Sequence, residues 1–559
     1  MAMAGEACAA PRAETVLRGR IFTADPAHPY AEAASVSGGV FTRVGAWEDV
    51  RELVGSGTRV IDVGEGLATP GMCDAHMHLS QGAVASMFQA DLSGCSSTAE
   101  YVERLRAFAA AHPGRSNYQG YGWDNAVFEA EGRAPGRDVL DEVGLDVPIF
   151  IRSYDGHSLI ASTACLEHAG IGPGYVSRES GEVVCDASGV PTGLFLEWAM
   201  RDIMASVEPF SVEDYRCALR QEQERFVRVG VTSVYEPIID NGPAVRAAYE
   251  ELDETGELAL KVSSGFYFKP ELEDVARLAD YAAERDAWRA RSAGRRSRFS
   301  CETVKLLVDG VVEGQTAYLF EGYAHRPDWR GAPICSSEQL AGAVDAAYDQ
   351  GFRVHMHAIG DAALDMALTA LERAAAGHAG ADWRPTVTHL QVVRPQDVAR
   401  MARLGVVAAA NPVWHFKEAG YYGELAEPFL GPERAEREYP LEDLFRAGMV
   451  VSMGTDFPVS DPDPLQGIEI GATRSALGDA SGATTLWPEQ RASVEQMLGA
   501  ATVGGAYQNA VEQRCGRIAE GYAADVAVFD RDLTRIDPHG IHTARCVLTM
   551  VDGAVVHEA

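Results

Sequence analysis

The sequence predicts an α/β protein built on a (β/α)8 TIM barrel, with a small β-sandwich domain made from both chain ends and an inserted subdomain after barrel strand 1. Eight short apolar runs alternate with helical stretches along the middle of the chain, which is the pattern of a parallel sheet. Both chain ends are β-rich, and neither is long enough to bury a good core alone. About 150 residues separate the first apolar run from the second, far more than one connecting helix needs.

The eight apolar runs are the predicted barrel strands. Several of them pass from apolar residues into a polar one, as buried parallel strands do where they reach the active-site end of a barrel. The runs are Gly71–His78, Val231–Glu236, Leu260–Phe266, Thr303–Asp309, Phe352–His357, Thr386–Leu390, Gly405–Ala410 and Met449–Asp456.

These runs divide the chain into three predicted parts. Two strands are predicted inside the long insertion, at Tyr118–Trp123 and Pro148–Ser153. Because insertions after a barrel strand commonly shape substrate access, we expect the inserted subdomain to lie over the active-site mouth. The parts are the composite β-sandwich domain at 1–70 and 514–559, the (β/α)8 barrel at 71–79 and 226–513, and the α/β subdomain at 80–225.

Composition and charge exclude several classes of protein. The chain has 559 residues, of which 47% are hydrophobic, so it can bury a large core and is not a disordered chain. A formal net charge of −33 disfavours nucleic acid and membrane partners, because it repels phosphates and anionic lipids. No run resembles a membrane-spanning helix or a signal peptide. The ten cysteines are scattered without a CxxC motif, which favours a reduced, cytoplasmic location.

The segment Asp74-Ala75-His76-Met77-His78 is the sharpest chemical feature of the chain. Residues two apart in a strand face the same side, so His76 and His78 can present two imidazoles to one point. Imidazole suits zinc, iron, nickel or copper better than calcium or magnesium. Two histidines at this spacing also arise by chance, so the hypothesis of a metal site depends on their place at the end of the first barrel strand.

Other predicted barrel strands end in the same kinds of residue. His357, His389 and Asp456 lie at the ends of strands five, six and eight. A single histidine at a strand end is more often structural, but four imidazoles and a carboxylate at one end of one barrel favour a metal site. His355 shares a face with His357; it either fills the barrel interior, the interpretation slightly favoured, or contacts a metal-binding residue.

Lys305 lies in an otherwise apolar predicted strand. A buried lysine is costly unless it is paired or chemically changed. From the residues alone, pairing with Asp309 or with another acid is the favoured interpretation.

Short motifs along nearly the whole chain form one further pattern. They lie at Pro70–His78, Asp155–His157, Val304–Gly310, His357–Asp361, His389–Gln391, Gly454–Val459, Pro464–Arg474 and Gly516–Asp525. Together these motifs resemble the amidohydrolase superfamily, within the amidohydrolase-3 group of YtcJ-like metal-dependent hydrolases. The resemblance implies a TIM barrel with a small β-sandwich domain, and possible homodimers by analogy.

The resemblance also implies a metal centre, with zinc as the expected metal, one or two ions, and manganese or iron as alternatives. Lys305 would be N6-carboxylated, because carbamylation turns a costly buried cation into an anionic ligand that can bridge two ions. The implied ligands are His76, His78 and Asp456 for one ion, His357 and His389 for a second, and Lys305 between them.

These features predict metal-assisted hydrolysis of an amide-type C–N bond in a small, partly apolar N-acyl or N-formyl substrate. Asp456 would accept a proton from the attacking water and return it to the leaving nitrogen, which leaves poorly until it is protonated. His157 would either hydrogen-bond the substrate carbonyl or the developing oxyanion, or simply order its loop. A deaminase, lactonase or cyclic-imide hydrolase would use much the same ligands. A non-catalytic scaffold is disfavoured because none of the six predicted ligands is missing.

Five further side chains are candidate substrate contacts. Glu313 lies in the sequence GVVEGQTA at 310–317, where similar proteins often have GSLGSRTA, so an inherited contact there is in doubt. Ordinary packing is an equally good explanation for the aromatic candidates. The candidates are Trp123, Arg152, Glu197, Glu313 and His415.

Overall fold

The computed structural model describes residues 12–154, 156–177, 181–239 and 243–559. It confirms the predicted fold class, a TIM barrel with a β-domain from both chain ends and an insertion after the first barrel strand. The described chain forms two compact units, one of residues 12–79, 223–239 and 249–559, the other within 80–222 and 243–248. The three-part boundaries given by the sequence therefore stay a prediction.

The barrel in the first unit has eight parallel strands whose spatial order follows their order in the chain. A hydrogen bond from Ala75 N to Met453 O, 2.8 Å long, links the segment after the first strand to the eighth strand and nearly closes the sheet. The strands are Met72–Asp74, Val231–Glu236, Lys261–Tyr267, Phe299–Leu307, Arg353–Ala358, Thr386–His389, Val407–Ala410 and Val451–Met453.

The first barrel strand is shorter than the predicted run, because it ends at Asp74. Beyond Asp74, successive backbone N–H groups donate to different neighbours instead of continuing one ladder. Met77 N donates to Tyr235 O at 3.1 Å, whereas His78 N donates to Phe457 O at 2.6 Å. His76 and His78 therefore lie just past the strand, in an extended segment held between the second and eighth strands.

Helices follow the barrel strands and pack their apolar faces on the sheet. In Asp361–Gly377, the buried residues Leu364, Leu368 and Leu371 recur every three or four positions, which places them on one helical face. The longer helices of this region are Val212–Arg228, Pro243–Thr255, Arg277–Ser292, Ser337–Asp349, Asp361–Gly377, Pro395–Leu404 and Pro464–Thr473. Shorter helices include Leu441–Arg446, Pro412–Trp414, Tyr422–Ala426, Glu427–Leu430, Pro432–Ala435, Pro488–Gln490, Val494–Gly499, Ala500–Gly504, Gly505–Gln508 and Pro538–Thr543.

The two chain ends share one eight-stranded sheet, as the sequence predicts. Val526–Phe529 pairs antiparallel with Leu67–Pro70. Leu67–Pro70 in turn leads directly into the first barrel strand. Leu17, Phe41 and Met550 are among the residues that form its core. The strands are Thr15–Phe22, Tyr30–Ser37, Val40–Gly45, Arg59–Asp62, Leu67–Pro70, Val526–Phe529, Cys546–Val551 and Ala554–Glu558.

The second unit is an α/β subdomain with its own six-stranded sheet and its own core, which includes Tyr101, Phe128 and Ile151. Both strands predicted in the insertion are observed, the second beginning one residue later than predicted. The strands are Gln89–Asp91, Tyr118–Trp123, Ile149–Ser153, Ser158–Ala161, Glu182–Cys185 and Pro191–Leu196, and the helices include Thr98–Ala111, Asn125–Ala130, Arg137–Asp141, Thr163–Ala169 and Met200–Met204. Across the described ranges of both units, the model contains no helix with the length and apolar character needed to cross a membrane.

Candidate metal centre

Four imidazoles and one carboxylate come together at the carboxyl end of the barrel. His76 Nε2 lies 3.5 Å and His78 Nε2 lies 3.2 Å from Asp456 Oδ1. One potential ligand atom from each of these three residues lies within 4.8 Å of the other two. The ring centroids of His357 and His389 are 4.5 Å apart, and those of His389 and His76 are 5.0 Å apart. Residues spread over about 380 positions of sequence thus form one cluster.

Two residues of the cluster, His389 and Asp456, have a left-handed backbone conformation, and so does Leu390. His389 has φ 76°, Leu390 has φ 51° and Asp456 has φ 58°. Such φ values are costly for residues other than glycine and persist only where the surroundings hold them. Here the Asp456 N–H donates to His76 O at 2.8 Å, which ties the turn after the eighth strand to the segment after the first.

Hydrogen bonds to the outer ring nitrogens orient two of the imidazoles. His76 Nδ1 lies 2.8 Å from His355 Nε2, and His389 Nδ1 lies 3.0 Å from Asn411 Oδ1. The Asn411 amide donates in turn to Gly454 O at 3.0 Å. Such contacts leave the other ring nitrogen available to a metal. His355 therefore supports a predicted ligand, which corrects the slightly favoured interpretation that it only fills the barrel.

Asp74 braces the segment that carries the first two histidines. Its carboxylate accepts from His76 N at 3.2 Å, from Thr455 N at 3.1 Å and from the Thr455 hydroxyl. Burial raises the pKa of Asp74 to about 7 in spite of these hydrogen bonds. The residue thus connects the ends of the first and eighth strands.

Asp309 has a comparable role beside His357. Its Oδ1 lies 3.8 Å from His357 Nε2, and burial raises its pKa to about 7. The carboxylate accepts three backbone hydrogen bonds of 2.8 to 3.0 Å, from Tyr318, Ile359 and Gly360.

The pairing of Lys305 with Asp309 or another acid, favoured from the residues alone, is not observed. Within the described part of the chain, no carboxylate lies within 4.0 Å of the Lys305 ammonium. Lys305 is only 1% exposed, and burial lowers its pKa to about 7. It lines the same cavity as the histidines, so its amine is available for chemistry instead of being neutralised by a salt bridge.

The protonation states of the cluster suit a cation. Burial lowers the pKa of His76 and His357 well below the ordinary value, and that of His389 to about 4, so these rings are neutral at pH 7. Burial opposes ionisation of Asp456, but the close approach of His78, together with His389 and Lys305, lowers its pKa to about 2. Neutral imidazoles and an ionised carboxylate are the forms that bind metals.

Asp456 also supplies the observation that tests whether a metal fits. Its Oδ1 is buried and makes no hydrogen bond of acceptable geometry within the described residues, although two imidazole nitrogens lie 3.2 and 3.5 Å away. A buried acceptor without a partner needs an explanation, and an ion between these atoms would satisfy it. The donor set of imidazole and carboxylate is that of zinc and related transition metals.

The cluster opens into a cavity of about 420 Å³, a volume suited to a small molecule. Apart from the predicted ligands, its lining is aliphatic, aromatic and acidic. These other lining residues are Ile238, Leu307, Val311, Glu313, Ile359, Gln391, Trp414, Glu418, Tyr421, Tyr439 and Val459.

The candidate substrate contacts fall in different places. Glu313 lines the cavity, whereas His415 is buried and stacks on the lining residue Tyr439 at 4.4 Å. In the second unit, His157 Nδ1 lies 3.2 Å from Glu197 Oε2, and Trp123 is buried against Phe128 with Arg152 on the next strand. The roles proposed for Trp123, Arg152, Glu197, His415 and His157 stay predictions.

Sequence reasoning missed several residues of the cavity wall. Gln391 belongs to the motif at 389–391, and its position two residues after the predicted ligand His389 is the sequence signal for its place in the cavity wall. Glu418, Tyr421 and Tyr439 lie in a long irregular segment after the seventh strand, where no periodic pattern indicates which side chains face inward.

A closed parallel barrel with histidine, lysine and aspartate side chains at its carboxyl end defines a barrel hydrolase of the metal-dependent type. Residues 59–557 match the model of the amidohydrolase family, and the chain belongs to that family. It is accordingly a hydrolase that acts on carbon–nitrogen bonds.

Known proteins are similar over nearly the whole chain. The Bacillus subtilis (strain 168) protein YtcJ, which carries the name of an amidohydrolase, is 26% identical over 94% of this chain and 96% of its own. The N-substituted formamide deformylase of Arthrobacter pascens is 25% identical, covering 97% and 98%. An uncharacterized metal-dependent hydrolase from Pyrococcus horikoshii OT3 superposes with a TM-score of 0.76 at 24% identity, covering 94% and 99%, which supports the fold. The resemblance to YtcJ-like hydrolases is confirmed.

Proposed function

We propose that the protein hydrolyses an amide-type bond of a small, partly apolar N-acyl or N-formyl compound with the help of a bound divalent metal. The observation that carries this proposal is the buried cluster of neutral imidazoles and an ionised carboxylate at the end of a 420 Å³ cavity. A relative named for the hydrolysis of N-substituted formamides supports the class of bond. The aliphatic and aromatic lining supports a partly apolar substrate.

His76, His78 and Asp456 would hold one ion, His357 and His389 would hold a second, and Lys305 would contribute to both. When bound, zinc, or manganese or iron in its place, lowers the pKa of water towards neutrality and polarises a carbonyl group. The chain orients the ligands through His355, Asn411 and the two buried aspartates. Hydrogen-bonded partners of this kind hold the ligands of a metal site in position.

Lys305 is proposed to be N6-carboxylated. With a pKa near 7, a large fraction of the amine is neutral at physiological pH. A neutral amine attacks carbon dioxide, forms an N–C bond and releases one proton, which leaves an anionic carbamate. That change replaces a buried cation by an anion with two oxygen ligands, so it removes the cost of burial once a cation is present.

Asp456 is proposed as the general base and then the general acid. Its carboxylate is ionised at pH 7, so one of its oxygens can accept a proton from the attacking water. Returning that proton to the leaving nitrogen converts a poor leaving group into an amine. His157 is proposed to hydrogen-bond the substrate carbonyl.

A hydrolysis screen tests the proposal. Metal-replete protein should cleave N-formyl or N-acetyl amines, with aryl-amide, lactam and lactone compounds as the other arms of the screen. A chelator should abolish the rate, and added zinc or manganese should restore it. Cleavage confined to lactones, or an amidase rate that a chelator leaves unchanged, would contradict the proposal. A cytoplasmic location, a homodimer and a lack of nucleic-acid and membrane partners stay predictions from composition, cysteine pattern and analogy.

A further inference from the structure

The cavity wall beyond the metal ligands has an unusual composition. It carries two carboxylates, Glu313 and Glu418, and three aromatic rings, while Lys305 is the only lysine or arginine among the described lining residues. The rings belong to Trp414, Tyr421 and Tyr439. Carboxylates next to Trp and Tyr faces are the surroundings that bind organic cations, because the face of each ring carries negative potential.

Hydrogen-bond directions show that Tyr421 donates to a carboxylate of this wall. The Gln391 amide nitrogen donates to the Tyr421 hydroxyl oxygen at 2.9 Å and to Glu438. The Tyr421 hydroxyl therefore has its own proton to donate, and it donates to Glu313 Oε2 at 3.3 Å. Burial, together with Glu313 and Glu438, raises the pKa of Tyr421, so the phenol stays neutral and donates to Glu313.

Glu418 is the second acidic group of the wall. In the described parts of the chain it makes no side-chain hydrogen bond and no ion pair, yet it lines the cavity. Burial raises its pKa, and a cation placed beside it would favour the ionised form of the carboxylate.

The wall and the metal ligands come from different loops of the barrel. Glu313 follows the fourth strand, whereas Trp414, Glu418 and Tyr421 follow the seventh. Aliphatic side chains, among them Leu307 and Ile359, also line the cavity and would contact an apolar linker. A substrate can thus present its amide to the ligands and a second group to the acidic wall.

We propose that the substrate carries an organic cation, an ammonium or guanidinium group, joined through a short apolar linker to the amide that is hydrolysed. Glu313 and Glu418, with the aromatic side chains of Trp414, Tyr421 and Tyr439 that line the same cavity, bind that cation. This inference rests on the proposed function for its reaction, but the cation site itself can be tested without turnover.

Matched substrates test the proposed specificity. Mono-N-formyl α,ω-diaminoalkanes of four to eight carbons are compared with N-formyl alkylamines of the same length, which lack the charge. The wild type should favour the best cationic substrate by about tenfold in kcat/KM at low salt, and added salt should reduce the preference. Glu313→Gln and Glu418→Gln should each reduce the preference for the cationic series several-fold. Glu65→Gln removes the same charge from an exposed turn outside the cavity and should leave the preference intact.

A binding measurement separates this inference from the proposed reaction. Calorimetry compares choline, a permanent cation, with its uncharged isostere 3,3-dimethylbutan-1-ol, in wild type and in the three variants. Choline should bind the wild type and the Glu65 variant more tightly than the alcohol, and both cavity variants should weaken it. Equal turnover of the two formamide series together with equal binding of the two probes would overturn the inference and leave the hydrolase proposal intact. If the protein turns over neither formamide series but binds choline more tightly than the alcohol, the proposed reaction is contradicted and the cation site is supported.

Discussion

Asp456 combines burial, an ionised carboxylate and an oxygen without a hydrogen-bond partner in the described chain. A structural aspartate in a barrel usually resembles Asp309, whose oxygens are occupied by backbone N–H groups. The contrast between these two carboxylates, one after the eighth strand and one after the fourth, supports the proposed role of Asp456 in the chemistry and a structural role for Asp309.

Replacing Asp456 by asparagine tests that assignment. The amide keeps the shape of the side chain but cannot take a proton, so kcat/KM should fall about 10²- to 10⁴-fold while bound zinc, measured by mass spectrometry, is retained on the histidines. Asp328→Asn, at an exposed position, is the matched control. An asparagine variant that is both metal-replete and active would remove Asp456 from the mechanism.

The candidate metal ligands could be predicted from the sequence more readily than the residues that contact and orient them. The spacing of His76 and His78 and the strand-end positions of His357 and His389 are visible in sequence. The contact of His355 with His76 joins residues 279 positions apart, so periodicity gives only the face of His355 and not its partner. Lys305 and Asp309 are close in sequence, but the strand ends at Leu307 and the chain then turns Asp309 towards backbone N–H groups.

At the scale of elements, a charged cluster joins the barrel to the sheet of the chain ends. Lys261, the first residue of the third barrel strand, contacts Asp525 at 2.6 Å and Asp552 at 3.0 Å, and Arg298 contacts Asp552 at 3.0 Å. Asp525 precedes the strand Val526–Phe529, and Asp552 lies in the turn between the last two strands. The cluster is largely buried, so losing one partner leaves an uncompensated charge.

Lys261→Met should therefore lower the free energy of unfolding by about 3–5 kcal/mol, measured by urea denaturation. Lys417→Met removes a lysine from the more exposed pair with Glu436 and should cost no more than about 1 kcal/mol. An equal effect of the two substitutions would contradict the role given to the buried cluster.

The same cluster has a defined pH dependence. Burial opposes both charges, but the aspartates raise the pKa of Lys261, while Lys261 and Arg298 lower the pKa of Asp552. The lysine's contribution is thus complete below its ordinary pKa of 10.5, and the aspartate's is complete above its ordinary pKa of 3.8. The stability difference between wild type and Lys261→Met should be constant from about pH 5 to 9 and should shrink as the pH falls below about 3.8.

Several strands could be predicted because their burial on both faces leaves continuous apolar runs, as in Val407–Ala410. The end of the first strand could not, because Met77 and His78 bond to different neighbours brought together only by barrel closure. The irregular chain between residues 411 and 440 carries much of the cavity wall, and its course depends on tertiary contacts that no local pattern encodes.

At the scale of the whole molecule, the sequence correctly predicted that the two chain ends pair, because each end is too small to bury its own apolar residues. Leu67–Pro70 pairs with Val526–Phe529 in the sheet of the chain ends. The chain then continues directly from Leu67–Pro70 into the first barrel strand and the two histidines that follow it. This pairing therefore positions the segment that carries His76 and His78, the first two candidate metal ligands.

Anomalous diffraction from crystals grown with zinc tests the central claim most directly. Data collected at the zinc edge should show a peak about 2.0–2.3 Å from ligand atoms of His76, His78 and Asp456, with extra density continuous with Lys305 Nζ. A cavity without an anomalous peak at saturating zinc, or a peak held by other residues, would contradict the account.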